Sequence, residues 1–275
     1  MAFKTILSVM GDGDGDDLRI ATDLARDLGA HLSVLVLGIE ASPPIGEFAT
    51  MTSDLWLQER EEVSRRLQAS VERTQAELAR LAISADVESG SGEPALIDKL
   101  VGRRARYADL ILIGPEMLAN DTLKSRVIDG TLFSSGRPIL LVPAGVKVNS
   151  SPKRILVAWD AKVEAARAAR EALGLLIRAD EVHLVMVDPD VDKHGAEPGA
   201  DAATYLARHG IKVTVDRLPS EGRSVAEVLN RHAVDTQADF LVMGAYSHSR
   251  MRELIFGGVT SSMLEKPSLP LFMAR

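Results

Sequence analysis

A glycine-containing loop at residues 244–262 has the residue types that bind phosphate. Gly244 lets the chain leave a strand in a conformation that residues with a side chain avoid. Gly257 and Gly258 permit close approach of the backbone, and the N–H groups from there to Thr260 can point at an anion from a helix N-terminus. Hydroxyl groups and positive charge in the same loop come from Thr260, Ser261, Arg250 and Arg252. We interpret this segment as an anion-binding cradle.

A second candidate site is the acidic segment MGDGDGDD at residues 10–17. Its aspartates alternate as the first ligands of an EF-hand loop do, but that loop also needs glycine at position six and glutamate at position twelve. Those positions hold Asp17 and Asp23. We therefore expect a turn from a strand into a helix that Asp16 or Asp17 caps. A calcium or magnesium loop and a regulatory segment are the alternatives.

Composition argues against several classes of protein. The formal net charge of -7 over 275 residues does not suit a protein that coats nucleic acid, which needs clustered Lys and Arg. The chain has no cysteine, so disulfide and thiolate chemistry are excluded. No apolar run approaches the roughly 18 residues of a membrane span, and the N-terminus lacks the pattern of a secretion signal. We expect a cytoplasmic protein with neither nucleic acid nor membrane as a partner.

The two halves of the sequence resemble each other, which indicates two copies of one domain. Three pairs of segments correspond in order: KTILSV with KRILVA, ADLILIG with ADFLVMG, and RPILLVP with LPLFMAR. We predict domains at residues 1–146 and 152–275, joined near residues 145–152.

Each copy alternates short apolar runs with segments of helical periodicity. Apolar runs without period-two alternation are typical of strands covered on both faces, and strand–helix alternation implies parallel pairing through right-handed crossovers. We predict an α/β fold in which each copy is an open five-stranded parallel sheet. The strands of the second copy are predicted at residues 153–159, 182–187, 211–217, 239–243 and 270–274. A long helix over about residues 54–81 distinguishes the first copy, because its counterpart near residues 199–209 is much shorter.

The loop after the fourth strand of the second copy resembles the signature loop of universal stress proteins, Gly-x2-Gly-x9-Gly-Ser/Thr. The spacing from Gly244 through Ser247 to Gly257 fits, although Ser247 replaces the second glycine and Gly258 replaces the hydroxyl residue. Because the repeat covers both halves, the chain resembles a tandem member of that family. The resemblance implies two Rossmann-like domains of the adenine nucleotide alpha hydrolase type. It also implies that residues 138–143 and 270–275 pair as an intramolecular pseudo-dimer, with a homodimer left open.

In the nucleotide-binding branch of that family, the loop holds the triphosphate of ATP. An aspartate at the end of the first strand contacts the nucleoside, and a valine at the end of the second strand meets adenine through its backbone. The resemblance therefore implies that the second copy binds ATP or another adenine nucleotide, with or without magnesium. The residues it assigns to the site are Asp160, Val187, Met243, Gly244, Ser247, Gly257, Gly258, Val259 and Thr260.

The corresponding loop of the first copy departs from the pattern. Gly114 is followed by Pro115, which lacks an N–H donor, and by Glu116, which adds negative charge where a phosphate would lie. The region of the first copy that corresponds to Gly257 and Gly258 has no glycine before Gly130. We therefore expect no nucleotide in the first copy.

Several of these residues also have ordinary structural interpretations. Asp160 can cap the helix that follows it, and His248 can be a solvated loop residue, as can the two arginines of the loop. His183 lies in a predicted strand, where a hydrogen-bonded core histidine is favoured over a metal ligand. The whole loop can also have been kept for sheet packing alone.

Three kinds of function remain open on this sequence. The first is a nucleotide-binding stress-response protein that changes shape or protein partner without turnover. The second is a slow ATP hydrolase, which would need a residue that positions water and magnesium held by carboxylates; the loop offers only Glu253. The third is an interaction or small-ligand protein whose pockets no longer hold nucleotide. We expect no catalytic residue and negligible hydrolysis.

Overall fold

The structure is a computed structural model, and it describes residues 3–13, 15–44, 49–190, 197–245, 258–265 and 267–275, with the side chains of residues 49–53 excepted. These residues form two compact units. We call residues 3–137 the N-terminal unit and residues 138–275 the C-terminal unit. Among the described residues, no helix combines the length and the apolar character needed to cross a membrane.

The N-terminal unit is an α/β structure built on parallel strands. Its elements are β1 (Thr5–Met10), α1 (Asp16–Leu28), β2 (His31–Ile39), α2 (Ala49–Leu81), β3 (Ala85–Gly92), α3 (Pro94–Ala105), β4 (Leu110–Ile113), α4 (Pro115–Ala119) and α5 (Lys124–Asp129), followed by a π-helical segment, Gly130–Ser135. The strands lie in the order β3-β2-β1-β4, and all neighbours pair in parallel. The long α2 confirms the helix predicted for the first copy.

The C-terminal unit repeats this pattern with a shorter helix after its second strand. Its elements are β5 (Ile139–Leu141), β6 (Arg154–Ala158), α6 (Val163–Glu171), α7 (Leu173–Leu176), β7 (Glu181–Val187), α8 (Ala200–Arg208), β8 (Val213–Leu218), α9 (Val225–Asp235), β9 (Phe240–Gly244), α10 (Gly258–Glu265) and β10 (Leu271–Ala274). All five strands predicted for the second copy are present. From β10 to β8 the strands lie in the order β10-β9-β6-β7-β8 and pair in parallel.

Strand β5 adds an antiparallel edge to the C-terminal unit. Leu140 of β5 lies opposite Phe272 of β10, and both side chains are fully buried. The predicted pairing between the last strands of the two copies is therefore confirmed. Because of this pairing, the compact units divide between Arg137 and Pro138, earlier than the domain limits predicted from the sequence.

The central strands bury both faces, as their unbroken apolar runs predict. All of β4 is fully buried, and β9 is buried from Phe240 to Met243. The edge strands β3 and β8 instead have half-buried and exposed positions. Parallel pairing of β6 with β7 and β9 places the carboxyl ends of these three strands at one edge of the sheet, where open α/β sheets bind ligands.

Candidate functional site

The carboxyl-terminal edge of β6, β7 and β9, which we call the C-terminal edge, carries several of the predicted nucleotide ligands. Asp160 lies two residues beyond β6, Val187 ends β7 and Gly244 ends β9. Met243 is buried and pairs with Met273 of β10, so its side chain belongs to the core. The fold therefore brings these sequence-distant positions to the same edge.

Asp160 is exposed and is held in the turn before α6. One carboxylate oxygen accepts a hydrogen bond from the backbone N–H of Lys162 at 3.1 Å, and the other lies 3.2 Å from the Lys162 ammonium. The N-cap of α6 is Lys162, so Asp160 closes the turn and does not cap the helix directly. Its side chain is 52% exposed, which leaves carboxylate surface available to a ligand.

Two residues beside these positions adopt the left-handed backbone conformation, although neither is glycine. Ala161 follows Asp160 with φ 60°, and Asp188 follows Val187 with φ 46°. Asp188 is fixed because its carboxylate accepts a hydrogen bond from the backbone N–H of Ser220 at 2.9 Å. Hydrogen bonds from Ser220 also lower the pKa of Asp188. Such backbone conformations are found where the surrounding structure imposes them, often at binding sites.

Gly244 is required by packing. A Cβ at this position would lie 2.6 Å from the carbonyl carbon of Glu164 and 2.7 Å from the nitrogen of Ala165, because the first turn of α6 lies directly against it. Its φ is outside the left-handed region. The prediction that Gly244 adopts a conformation closed to other residues is therefore wrong, and close approach of a helix is the physical reason for the glycine.

The first turn of α10 begins at the protein surface. Gly258 is the first residue of this eight-residue helix and is exposed, and a Cβ there would meet no described atom within 4 Å. Val259 is half-buried and Thr260 is buried. Two predicted ligands, Ser247 and Gly257, lie outside the described residues, as do Arg250, Arg252, His248 and Glu253.

In the N-terminal unit, two carboxylates of the chain occupy the equivalent edge. Glu116 accepts hydrogen bonds from the backbone N–H groups of Asp16 and, at 2.7 Å, Asp17. Asp17 in turn accepts hydrogen bonds from the backbone N–H groups of Glu116 at 3.0 Å and Met117 at 3.1 Å. Each side chain thus lies at the N-terminus of the other helix, α1 or α4, where negative charge is favoured. We call Asp17 and Glu116 the carboxylate interlock.

The two acids of the carboxylate interlock have different pKa values. Burial, together with the hydrogen bond and the charge of Glu116, raises the pKa of Asp17 to about 8. Desolvation would raise the pKa of Glu116 too, but the hydrogen bonds from the Asp17 side chain and from nearby backbone N–H groups lower it. Near neutral pH the pair therefore holds one proton and one negative charge.

The helix that follows α4 is also capped from within the chain. The side-chain oxygen of Asn120 accepts hydrogen bonds from the backbone N–H groups of Thr122 at 3.2 Å and Leu123 at 2.9 Å. Leu123 is the N-cap residue of α5, the helix that corresponds to α10 in the C-terminal unit. Donors at the start of both α1 and α5 therefore already have partners in the N-terminal unit.

Comparisons with known proteins all point to universal stress proteins. Residues 152–275 match the model of the universal stress protein family. Over 289 aligned residues, the chain is 26% identical to a universal stress protein from Synechocystis sp., and the match covers 95% of this chain and 97% of that protein. Residues 152–275 therefore carry a universal stress protein domain. The resemblance to this family noted from the sequence is thus confirmed.

Solved structures of universal stress proteins share the fold over both units. A crystal structure of a universal stress protein from Archaeoglobus fulgidus has a TM-score of 0.64 at 18% identity, covering 98% of this chain and 96% of that chain. A putative universal stress protein from Pseudomonas aeruginosa has a TM-score of 0.58 at 16% identity, covering 99% of this chain and 93% of that chain. At these identities the likeness concerns the fold alone.

The acidic segment at residues 10–17 forms a turn between β1 and α1, as predicted, but its capping differs from the prediction. The N-cap of α1 is Gly15, which makes no side-chain cap. Asp17 contributes its carboxylate to α4, while Glu116 caps α1. A Cβ at Gly15 would lie 2.3 Å from a carboxylate oxygen of Glu116, so this glycine makes room for the incoming side chain. Asp14, which the calcium alternative would need, lies outside the described residues.

A mainly apolar cavity of about 430 Å³ lies between α6 and α8. Its lining includes Trp159, Val163, Arg167, Tyr205 and Leu206. Trp159 directly precedes Asp160, so the cavity lies beside the C-terminal edge. Sequence reasoning missed it because the lining residues come from separate elements, although the shortness of α8 compared with α2 was visible in the sequence.

Proposed function

We propose that the C-terminal unit binds one adenine nucleotide, with ATP as the first ligand to test, and that the N-terminal unit binds none. The difference between the two equivalent edges carries this proposal. At the N-terminal edge, the carboxylates of Glu116 and Asp17 accept hydrogen bonds from the backbone N–H groups at the N-termini of α1 and α4. At the C-terminal edge, α10 begins at Gly258, which is exposed and adds no side chain to the helix N-terminus.

The C-terminal edge combines the features that a nucleoside phosphate needs. Backbone N–H groups at a helix N-terminus attract phosphate, and Gly258 adds no side chain in front of them. Asp160 offers an exposed carboxylate that can accept hydrogen bonds from ribose hydroxyls. In the sequence, the signature loop with Ser247 and Gly257 connects Gly244 at the end of β9 to Gly258 at the start of α10.

Nucleotide binding by the N-terminal unit would first have to displace Glu116 from two backbone N–H groups. Hydrogen bonds that involve a charged partner are worth about 1.5–3 kcal/mol each, so displacement opposes binding by several kcal/mol. The displaced carboxylate would then face the phosphates and repel them. The carboxylate interlock therefore acts as a built-in substitute for an anionic ligand.

We infer that the protein works as a binding switch that presents a nucleotide-dependent surface to a protein partner. The carboxylates described at the C-terminal edge, Asp160 and Asp188, accept hydrogen bonds from the backbone N–H groups of Lys162 and Ser220. Asp160 is assigned here to the ribose and Asp188 is held by Ser220, whereas phosphoryl hydrolysis needs a group that positions the attacking water at the phosphates. We expect negligible ATP hydrolysis, with magnesium acting only as a counterion of the bound nucleotide.

Calorimetric titration with ATP tests this assignment. Gly258→Val places a branched side chain in front of the N–H groups while meeting no described atom of the protein, so binding should be lost and the circular dichroism spectrum retained. Gly257→Val should have the same effect. Ser125→Val is the matched control, because this exposed residue occupies the corresponding region of the N-terminal unit. Unchanged affinity in Gly258→Val and Gly257→Val, or loss of binding in Ser125→Val alone, would refute the site.

A second candidate function is binding of a small apolar molecule, and the cavity beside Trp159 favours it. Cavities of several hundred Å³ with apolar walls and a few polar groups are typical of small-molecule sites. If the wild-type protein binds no adenine nucleotide while an apolar dye changes the fluorescence of Trp159, this second function replaces the first. Trp159→Phe identifies the responding tryptophan, since the only other one is Trp56.

A further inference from the structure

Three side chains that the nucleotide proposal does not use meet between the sheet and α9. Asp216 of β8 places one carboxylate oxygen 2.8 Å from Nδ1 of His183 in β7 and 2.7 Å from Nε2 of His232 in α9. We call these residues the His–Asp–His cluster. We propose that the His–Asp–His cluster is a binding site for a divalent transition-metal ion of the zinc type.

The fold assembles the cluster from three separate elements. Parallel pairing places Asp216 opposite Val185, and His183 lies two residues before Val185, so both polar side chains project from the same face of the sheet. Helix α9 begins with a capping box in which Ser224 and Glu227 hydrogen-bond each other. That fixed start sets the register that brings His232, in the last turn, over the two strand residues.

The donor set is one that transition metals prefer. Two imidazole nitrogens and one carboxylate oxygen suit Zn²⁺, Co²⁺, Ni²⁺ or Fe²⁺, whereas Mg²⁺ and Ca²⁺ take oxygen ligands. Sites of this kind with three protein ligands keep a fourth position for water. The side chains of His183, Asp216 and His232 are 17%, 19% and 17% exposed, so an ion and its water can reach them from solvent.

The two contacts to Asp216 require only a small adjustment to admit an ion. The three ligand atoms all lie within 4.8 Å of one another. Zinc–nitrogen bonds of about 2.0–2.1 Å in tetrahedral geometry put ligand atoms about 3.3 Å apart. The two contacts to Asp216 would therefore lengthen by about 0.5 Å as the ion replaces the hydrogen-bonded protons.

A carboxylate behind one histidine completes the arrangement. Nε2 of His183 lies 3.8 Å from Oε1 of Glu181, and Glu181 is itself held by a hydrogen bond from Arg154. Metal-bound histidines usually direct their second nitrogen toward a carboxylate or carbonyl, which fixes the ring and strengthens the ligand. Glu181 is placed to do this for His183 once the ring turns toward an ion.

The alternative is a hydrogen-bond network that only joins α9 to the sheet. Glutamine separates the two interpretations, because its amide N–H can donate to Asp216 in place of the imidazole while binding transition metals poorly. His183→Gln and His232→Gln should therefore preserve folding but remove the ion. His209→Gln is the matched control, since His209 is an exposed histidine at the end of α8 in the same unit.

The experiment is calorimetric titration of tag-free, chelator-treated full-length protein with ZnCl₂, and with MgCl₂ in parallel. We expect one zinc ion per chain, with affinity unchanged in His209→Gln. In His183→Gln and His232→Gln, affinity should fall at least tenfold, since loss of even an outer-shell partner costs about 10–100-fold. Zinc should raise the thermal midpoint of the wild type and of the control but not of the two cluster variants. Magnesium should not compete.

Failure of the wild type to bind zinc would overturn the proposal, and so would stoichiometric zinc binding that survives in both glutamine variants. If either variant fails to fold by circular dichroism, Asp216→Asn serves in its place, because it keeps an acceptor for both imidazoles while removing the charge. Unaltered zinc affinity in that variant would likewise count against the site.

Discussion

Removing the carboxylate of Asp17 should destabilise the N-terminal unit far more than removing an exposed aspartate. Asp17 is 2% exposed and accepts hydrogen bonds from two backbone N–H groups of α4. In Asp17→Ala, the buried donor of Met117 loses its partner, which costs about 1–3 kcal/mol, and the partly buried donor of Glu116 loses a bond worth about 0.5–1.5 kcal/mol. The free energy of unfolding should therefore fall by about 2–4 kcal/mol.

Urea unfolding followed by circular dichroism measures this loss. Asp160→Ala is the control, because this exposed carboxylate also accepts a backbone hydrogen bond but lies in solvent, and surface changes of this kind usually cost within about 0.5 kcal/mol. Equal midpoints for Asp17→Ala and Asp160→Ala would show that the carboxylate interlock does not hold α1 and α4 together. A loss confined to Asp17→Ala would support the bonding described above.

Four further outcomes follow from the same structure. The pKa of Asp17 in the folded protein is raised to about 8, so the stability that Asp17 contributes should be lost as pH rises through that value. Asp17→Asn should therefore flatten the decline of the urea midpoint with rising pH, and an unchanged decline would contradict this prediction. The pKa of Glu116 is lowered, so the stability that Glu116 contributes should be lost in acid, below its ordinary titration range. If the loss of stability at low pH is the same in Glu116→Gln as in the wild type, this prediction is wrong. Gly244→Ala should destabilise the C-terminal unit by about 1–3 kcal/mol, because the new Cβ meets the backbone of Glu164; wild-type stability in urea would disprove the close packing. Ser224→Ala should cost about 1 kcal/mol through loss of the cap of α9, and its thermal midpoint checks this.

The strands were predictable because their signal is local. The runs ILVA, LVM and LFM are apolar without alternation, so each sequence segment alone indicates a strand covered on both faces. The partner of β5 was also predictable, although only through the family resemblance. Helix α2 was predicted because its length is visible in one uninterrupted segment.

The carboxylate interlock was not predictable from local rules. Capping rules compare a residue with its near neighbours, so they assigned Asp16 or Asp17 to α1 and treated Glu116 only as a charge that repels phosphate. The structure joins Glu116 to the backbone of residues about a hundred positions earlier. Gly15 leaves space for the carboxylate of Glu116, and Gly114 leaves space for that of Asp17. These two glycines can be interpreted in this way only once the contact between the two loops is known.

The His–Asp–His cluster escaped the sequence for a related reason. His183, Asp216 and His232 have no spacing that matches a metal motif, and His183 alone favours a hydrogen-bonded core histidine. Strand register and the position of α9 bring the three together. A site whose ligands come from three separate elements can therefore be recognised only once the fold is known.

Native mass spectrometry of the purified protein with ATP tests most directly whether the two copies differ as proposed. Wild-type protein should reach a limit of one adenine nucleotide per chain, Ser125→Val should do the same, and Gly258→Val should bind none while remaining folded. Two nucleotides per wild-type chain would contradict the blocking role of Glu116 and Asp17. One nucleotide per chain that persists in Gly258→Val and in Gly257→Val would contradict the assignment to the C-terminal edge.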